Sequence, residues 1–365
     1  MDSSHGLEAQ RLITQLLDLV GARSNRDQLT EILTSAVRLA EDDAHRLDLK
    51  ITNAALSEMT EAFRVFAPYR DDPKVTIFGS ARTLPDDPLY VLTRSLAASL
   101  ARSGWMVVTG AGPGIMAAGL EGAGRDMAFG INIRLPFEQG ANAFIAHDPK
   151  LVEMKYFFTR KLMLMKDSSG FVALPGGFGT LDEVFELLTL LQTGKAEPVP
   201  VVLLDLPGGT FWHQWERFLE EEVASRGLIS PLDSALYRVT DDVEVASSEI
   251  MGFYRNYHSR RFVGSTLVLR MRHSPTREQL AALNDQFSDL CLAGGIESSE
   301  ALGPERRYHD HLDLARVSLT FDPMQASRLR QLIDALNALP GSDSTEHRPG
   351  AAQQDALPEA LPDPM

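Results

Sequence analysis

The chain holds a single cysteine, Cys291, in 365 residues. One thiol excludes an internal disulfide framework and a cysteine-rich metal cluster, and it fits a reducing compartment. No apolar run reaches the roughly 20 residues needed to span a bilayer, and the opening MDSSHGLEAQ lacks the basic and apolar regions of a secretion signal. A cytoplasmic location and no membrane partner are expected. Basic charge is scarce as well: 35 Lys and Arg against 50 Asp and Glu give a formal net charge of −15, which argues against a nonspecific grip on nucleic acid. A local basic site for one small phosphate stays open. With 44 % apolar and 23 % charged residues the composition is globular, and the length favours more than one folded unit.

What is present is organised around LPGGFGTLDEVFE, residues 174–186, which reads as a strand end, a glycine-rich turn and a helix start. Gly176, Gly177 and Gly179 permit positive φ and let an anion approach the backbone. A helix opened by Thr180 points its first N–H groups at that turn, as a phosphate seat requires. Glu183 then has two readings. With Thr180 it forms T-x-x-E, the spacing of a capping box, which needs no function; or it is a carboxylate held beside a bound ligand.

Taken in order, residues 1–70 read as an N-terminal extension of amphipathic helices, suited to covering a sheet edge or building a subunit contact. Residues 71–260 alternate strand and helix. KVTIFGSAR ends a first strand at Gly79-Ser80, and WMVVTG runs into a second glycine turn, GAGPGIM. Its glycines, Gly110, Gly112 and Gly114, are spaced G-x-G-x-G rather than as the dinucleotide fingerprint, and Pro113 removes a donor. A mononucleotide site fits better than NAD. The amides Asn132, Gln139 and Asn142 follow in a strand and loop where they either form turns or read a base or ribose edge. Arg160 and Lys161, in YFFTRKLMLMK, lie on a helix leading into the strand whose carboxyl end is the first glycine turn. Strands and helices in this order predict a Rossmann-like, doubly wound parallel sheet. Trp212, Trp215 and Phe218 read as core or interface residues. Residues 261–338 read as a separate small α+β module, with IESSEAL as its least defined strand. In it His309 and His311 have no third ligand at a telling spacing, so no metal is expected. Residues 339–365 read as a disordered tail.

PGGFGTLDE at 175–183, the Arg160-Lys161 pair, GAGPGIM at 110–116 and GSAR at 79–82 together resemble the Lonely Guy family. Its signature, P-G-G-x-G-T-x-x-E, is matched in full. The resemblance covers roughly residues 74–250 and implies a Rossmann-like nucleoside 5′-monophosphate phosphoribohydrolase, which cleaves an N-glycosidic bond to free base and ribose 5-phosphate, in some members from cytokinin ribosides. It also implies that Glu183 and Arg160 are catalytic and that Gly79, Ser80, Gly110, Gly112, Gly114, Gly176, Gly177, Gly179 and Thr180 bind phosphate or nucleotide. Asn132 and Lys161 are candidates for base or ribose contacts. The short plant-type members carry M-H-x-R-K where this chain has YFFTRK, and a small serine-like residue is common where Arg82 stands. Those features, with NIRLPFEQ and LTLLQTGK, resemble the longer bacterial branch. No cofactor is implied: the old lysine decarboxylase label of some relatives finds no lysine here in a pyridoxal phosphate context. A homodimer or higher homo-oligomer is expected. Two other classes remain, a non-catalytic nucleotide-binding or sensing protein and a carrier of molybdenum cofactor.

Overall fold

The alternating segments from Lys74 onward form a seven-stranded sheet, all of it parallel, in a computed structural model that describes residues 3–135 and 140–341. Gln139 and residues 342–365 of the proposed tail lie outside the described residues. In chain order the elements are α1 (Ser3–Leu19), α2 (Arg26–Glu41), α3 (Arg46–Phe66), β1 (Lys74–Phe78), α4 (Pro88–Arg102), β2 (Met106–Thr109), α5 (Ile115–Ala123), β3 (Ala128–Ile133), β4 (Leu151–Met154), α6 (Phe157–Lys166), β5 (Gly170–Ala173), α7 (Phe178–Gln192), β6 (Val201–Leu204), α8 (Phe211–Phe218), β7 (Arg238–Thr240) and α9 (Val243–Gly252). The second half continues with β8 (Tyr257–Val263), β9 (Thr266–Met271), α10 (Arg277–Phe287), β10 (Cys291–Ser298), α11 (Gly303–Tyr308), β11 (Ala315–Phe321) and α12 (Ala326–Asn337).

The chain divides into two compact units, Met1–Thr60 and Glu61–Met365. In the first, α1 and α2 leave Leu12, Leu16, Leu19 and Ile32 exposed. Among the described residues no helix is long and apolar enough to cross a membrane.

In the second unit the strand order is β4-β3-β2-β1-β5-β6-β7. Strands buried on both faces need unbroken apolar runs, and β1, β2, β3, β5 and β6 are buried at every position. One face carries Leu96 and Leu100 of α4, Ile115 of α5 and Ile250 of α9. The other carries Phe66 at the end of α3, Met163 of α6, Leu187 of α7 and Trp212 of α8. Gly122 allows the close approach of α4 and α5, since a Cβ there would collide with the Arg94 carbonyl. The chain runs outward from β1 to β4 and then returns to β5 beside β1, so strand order reverses between those two strands. At such a switch point the helices leave the sheet in opposite directions and open a crevice at the carboxyl ends.

Residues 261–338, read from the sequence as a separate module, share a core with this sheet. A four-stranded antiparallel sheet, β10-β11-β9-β8, contributes Leu267, Leu269, Val317 and Leu319 to the same apolar cluster as Val75 and Val172, joined by Phe253, Tyr254 and Tyr257. Tyr254 Oη donates to the Ser169 carbonyl (2.8 Å), and Asn337 Oδ1 accepts the N–H groups of Asn256 (2.9 Å) and Tyr257 (2.8 Å). The boundary at 260–261 falls inside β8, where Arg260 reaches back to Glu197 (3.0 Å) and the Ala196 carbonyl (2.9 Å). In this part of the chain α10 stops at Phe287, and CLAGGIES is the edge strand β10. The short β4 is a strand that the sequence pattern, interrupted by a loop, did not announce.

Candidate active site

The crevice lies where β1 and β5 end. The two strand ends are joined by Leu174 N–H to the Phe78 carbonyl (2.9 Å) and Ser80 N–H to the Pro175 carbonyl (3.3 Å). From there the chain enters α7 three residues earlier than T-x-x-E implies: Gly177 is the N-cap, Phe178 the first helical residue, and no side chain caps the end. Thr180 and Glu183 therefore do not form a capping box. Glu183 sits in the second turn, leaving its carboxylate uncommitted. The glycines also serve differently from expectation. None of Gly176, Gly177 and Gly179 has positive φ. A Cβ on Gly176 would collide with Thr180 Oγ1, whereas Gly177 and Gly179 meet nothing within 4 Å, so the first permits packing and the other two keep the approach to the helix end clear. The first helical bond runs from Leu181 N–H to the Gly177 carbonyl (3.1 Å), which leaves the N–H groups of Phe178, Gly179 and Thr180 without helical partners.

A cavity of about 680 Å³ opens on this helix end, lined by Gly79, Ser80, Arg82, Gly110, Met116, Phe157, Arg160, Gly177, Gly179, Thr180 and Glu183, among others. Glu183 is only 7 % exposed, and its Oε2 has no hydrogen-bond partner among the described residues. Burial pushes its carboxyl up to about 7, against the pull of Lys161 and Arg160; Asp182 and Glu186 add to the rise. A carboxyl poised near neutrality in a cleft is suited to proton transfer or to stabilising charge.

Arg160, from α6, is held rather than mobile. Its Nε donates to the Ile131 carbonyl (3.0 Å) and its Nη2 to the Gly110 carbonyl (3.2 Å). The second glycine turn is shaped around it: a Cβ on Gly110 would overlap the guanidinium. Gly114 takes φ +68° under the Ser80 carbonyl, where a side chain has no room, and Ile115 N–H donates to that carbonyl (3.0 Å). Gly112 and Gly114 do not line the cavity, and neither does Gly176.

Neither Asn132 nor Asn142 lines the cavity. Asn142 Nδ2 donates to the carbonyls of Ala111 (3.0 Å) and Gly112 (2.8 Å), fixing the second turn. Asn132 is buried within β3, paired in register with Glu153. Lys161 bonds Asp182 (2.8 Å) and Glu186 (2.5 Å); these are structural bridges between α6 and α7, and its influence reaches Glu183 through charge. Trp212 and Trp215 are core residues. His311 meets His258 edge to face, with ring centroids 4.6 Å apart, and among the described residues no three ligating side chains gather as a metal site. Sequence reading did not assign Arg82, Met116 or Phe157 to the site. Only the two exposed cavity-wall positions could have been flagged, by their place beside motif residues.

Comparison with known proteins agrees on residues 113–250, which match a protein-family profile described as possible lysine decarboxylase. A cytokinin riboside 5′-monophosphate phosphoribohydrolase of Arabidopsis thaliana is 40 % identical over 72 residues, covering 20 % of this chain and 32 % of the relative. A bifunctional cytokinin biosynthesis protein of Fusarium pseudograminearum is 33 % identical over 109 residues, 28 % of this chain and 21 % of that protein. The chain thus spans about a third or less of the length of these curated relatives. Among solved structures, a molybdenum cofactor carrier protein of Chlamydomonas reinhardtii aligns with a TM-score of 0.35 at 22 % identity over 48 % of this chain and 94 % of that one. The full P-G-G-x-G-T-x-x-E signature, its position at the switch point of the parallel sheet and the matched relatives make this part of the chain similar to the Lonely Guy family.

Proposed function

We propose that this chain hydrolyses the N-glycosidic bond of nucleoside 5′-monophosphates to free base and ribose 5-phosphate. The observation that carries the reading is Glu183: a buried carboxylate with an unpartnered oxygen on the wall of a cavity that also receives the open end of α7. Departure of the base builds positive charge on the ribose, which an ionised Glu183 stabilises while guiding water to the sugar. The 5′-phosphate lies at the amides of Phe178, Gly179 and Thr180, where the helix dipole favours an anion. Arg160, immobilised by two carbonyls, fixes the geometry of the wall beside Glu183. Incubation with a panel of nucleoside 5′-monophosphates, followed by chromatography for free base and ribose 5-phosphate, tests the reading. Saturable binding without release identifies a nucleotide sensor instead.

The proposal includes a homodimer in a reducing cytoplasm. Phe157, Phe158, Leu162 and Phe185 are exposed on α6 and α7, and Phe178 is 94 % exposed beside the cavity; bare rings at such density favour burial against a second copy. Sedimentation of the full chain measures this directly.

Two variants follow from the wall of the site. Lys161→Met removes the strongest influence that favours ionised Glu183 and leaves Asp182 and Glu186 unpaired nearby. Both changes hold the proton on Glu183 more tightly, so the acid limb of the kcat profile moves to higher pH. An unmoved limb removes Lys161 from the electrostatics of the reaction. Gly110→Ala pushes the Arg160 guanidinium off its carbonyl, and turnover is expected to fall by about tenfold or more, because small displacements near reacting groups are costly. Steady-state kinetics beside a melting curve separates that loss from unfolding.

A further inference from the structure

We propose that Arg82 is the cation that takes up the phosphate charge of the substrate and so sets the preference for phosphorylated over phosphate-free ligands, a role that rests on reading the cavity as a nucleoside 5′-monophosphate site. Two cations, Arg82 and Arg160, stand among the residues lining that cavity. They are in different situations. Arg160 has Nε and Nη2 committed to the carbonyls of Ile131 and Gly110, and drawing that guanidinium onto a phosphate would strip two backbone acceptors of their donors. Such a loss costs roughly as much as a charged hydrogen bond gains. Arg82 is exposed, and its side chain has no hydrogen bond or ion pair among the described residues.

Its backbone is nevertheless fixed. Arg82 N–H donates to Ser80 Oγ (3.1 Å). Ser80 in turn gives its N–H to Pro175 (3.3 Å) and receives the N–H of Ile115 (3.0 Å) on its carbonyl. The loop after β1 is thereby stitched to the starts of both α7 and α5. Arg82 is a long, solvated cation on a rigid base, at the wall that also carries the open amides of α7. Those amides offer partial charge only, and a phosphate dianion needs a full one for tight, salt-dependent binding. The carboxylates nearby sharpen the need. Asp182 is already paired with Lys161, and a dianion arriving beside Glu183 opposes ionisation of that carboxyl; a guanidinium closing on the phosphate cancels part of that repulsion.

The test is calorimetric titration of the full chain carrying Glu183→Gln, with and without Arg82→Ala, using AMP, ribose 5-phosphate and adenosine as probes. Arg82→Ala is expected to weaken AMP and ribose 5-phosphate by at least about tenfold, to flatten the salt dependence of their binding, and to leave adenosine unchanged. Arg82→Lys restores part of the loss. Equal AMP and ribose 5-phosphate affinity with and without the arginine overturns the proposal, and so does a parallel loss of adenosine binding, which marks a structural role. Absence of any AMP or ribose 5-phosphate binding with Arg82 present overturns it together with the nucleotide reading. Phosphate-dependent, Arg82-dependent binding by a chain that releases no base with Glu183 intact leaves Arg82 in place and removes the hydrolase.

Discussion

Glu183→Gln is expected to abolish the proposed base release while folding and nucleotide binding persist: kcat should fall on the order of a hundred- to ten-thousandfold, the usual contribution of a positioned proton-transfer or charge-stabilising group. The amide fills the same space but can neither ionise nor accept a proton in its place. Retained turnover in this variant would rule out the mechanism. The same substitution has a signature in stability. An ordinary glutamate in the unfolded chain ionises near 4.5, whereas in the fold Glu183 holds its proton to about 7. Below 4.5 both states are protonated and the site costs the fold nothing. As pH rises through about 7 the folded protein carries a buried charge that the unfolded chain solvates freely, a loss on the order of 3 kcal/mol. Glutamine escapes that loss. The variant should therefore melt with the parent near pH 4.5 and above it at pH 8, so that calorimetry at two pH values reports on Glu183 even without a substrate.

Arg160→Ala is expected to lower turnover by more than about tenfold and to destabilise the fold by roughly 1–3 kcal/mol, the cost of leaving partly buried acceptors without donors. The two effects share one cause. The guanidinium ties the end of β3 at Ile131 to the second glycine turn at Gly110, so its removal loosens the cavity wall beside Glu183. Lysine reaches one carbonyl but lacks the fork that spans two, and Arg160→Lys should recover little. Urea unfolding and steady-state kinetics on the same preparations check both parts; parental values in each would reduce Arg160 to a passive surface cation.

The parallel sheet was legible because buried strands such as KVTIF and MVVT announce themselves by apolar runs followed by glycine. The place of the site was legible for a related reason: PGG ends a strand, and strand ends at a switch point are where ligands gather. What stayed hidden depended on contacts between distant segments. T-x-x-E is a sound cap signal locally, but Gly176 lets Thr180 pack beneath the turn, and the helix starts at Phe178 instead. Gly110 reads as a phosphate seat until Arg160, 50 residues away, occupies the space its missing side chain leaves. Asn142 reads as a ligand amide until its partners prove to be the carbonyls of Ala111 and Gly112. Residues 261–338 read as a separate module since strand and helix patterns carry no record of a shared core; Tyr254 and Asn337 supply that record only in three dimensions.

The central strand also bears on how the molecule is made. β1 pairs with β2 on one side and with β5 on the other, so that Val75 finds Val107 nearby but must wait for Gly170. Closing so long a stretch of chain is slow compared with forming the helices inside it. The half-sheet from β1 to β4 can assemble while the later segment is still unpaired, and in that interval the edge of β1 is an open template for another chain. The crevice that seats Glu183 comes into being only when β5 docks. Refolding should therefore recover helical circular dichroism well before it recovers the ability to bind a nucleotide, with aggregation competing most strongly in the gap between the two.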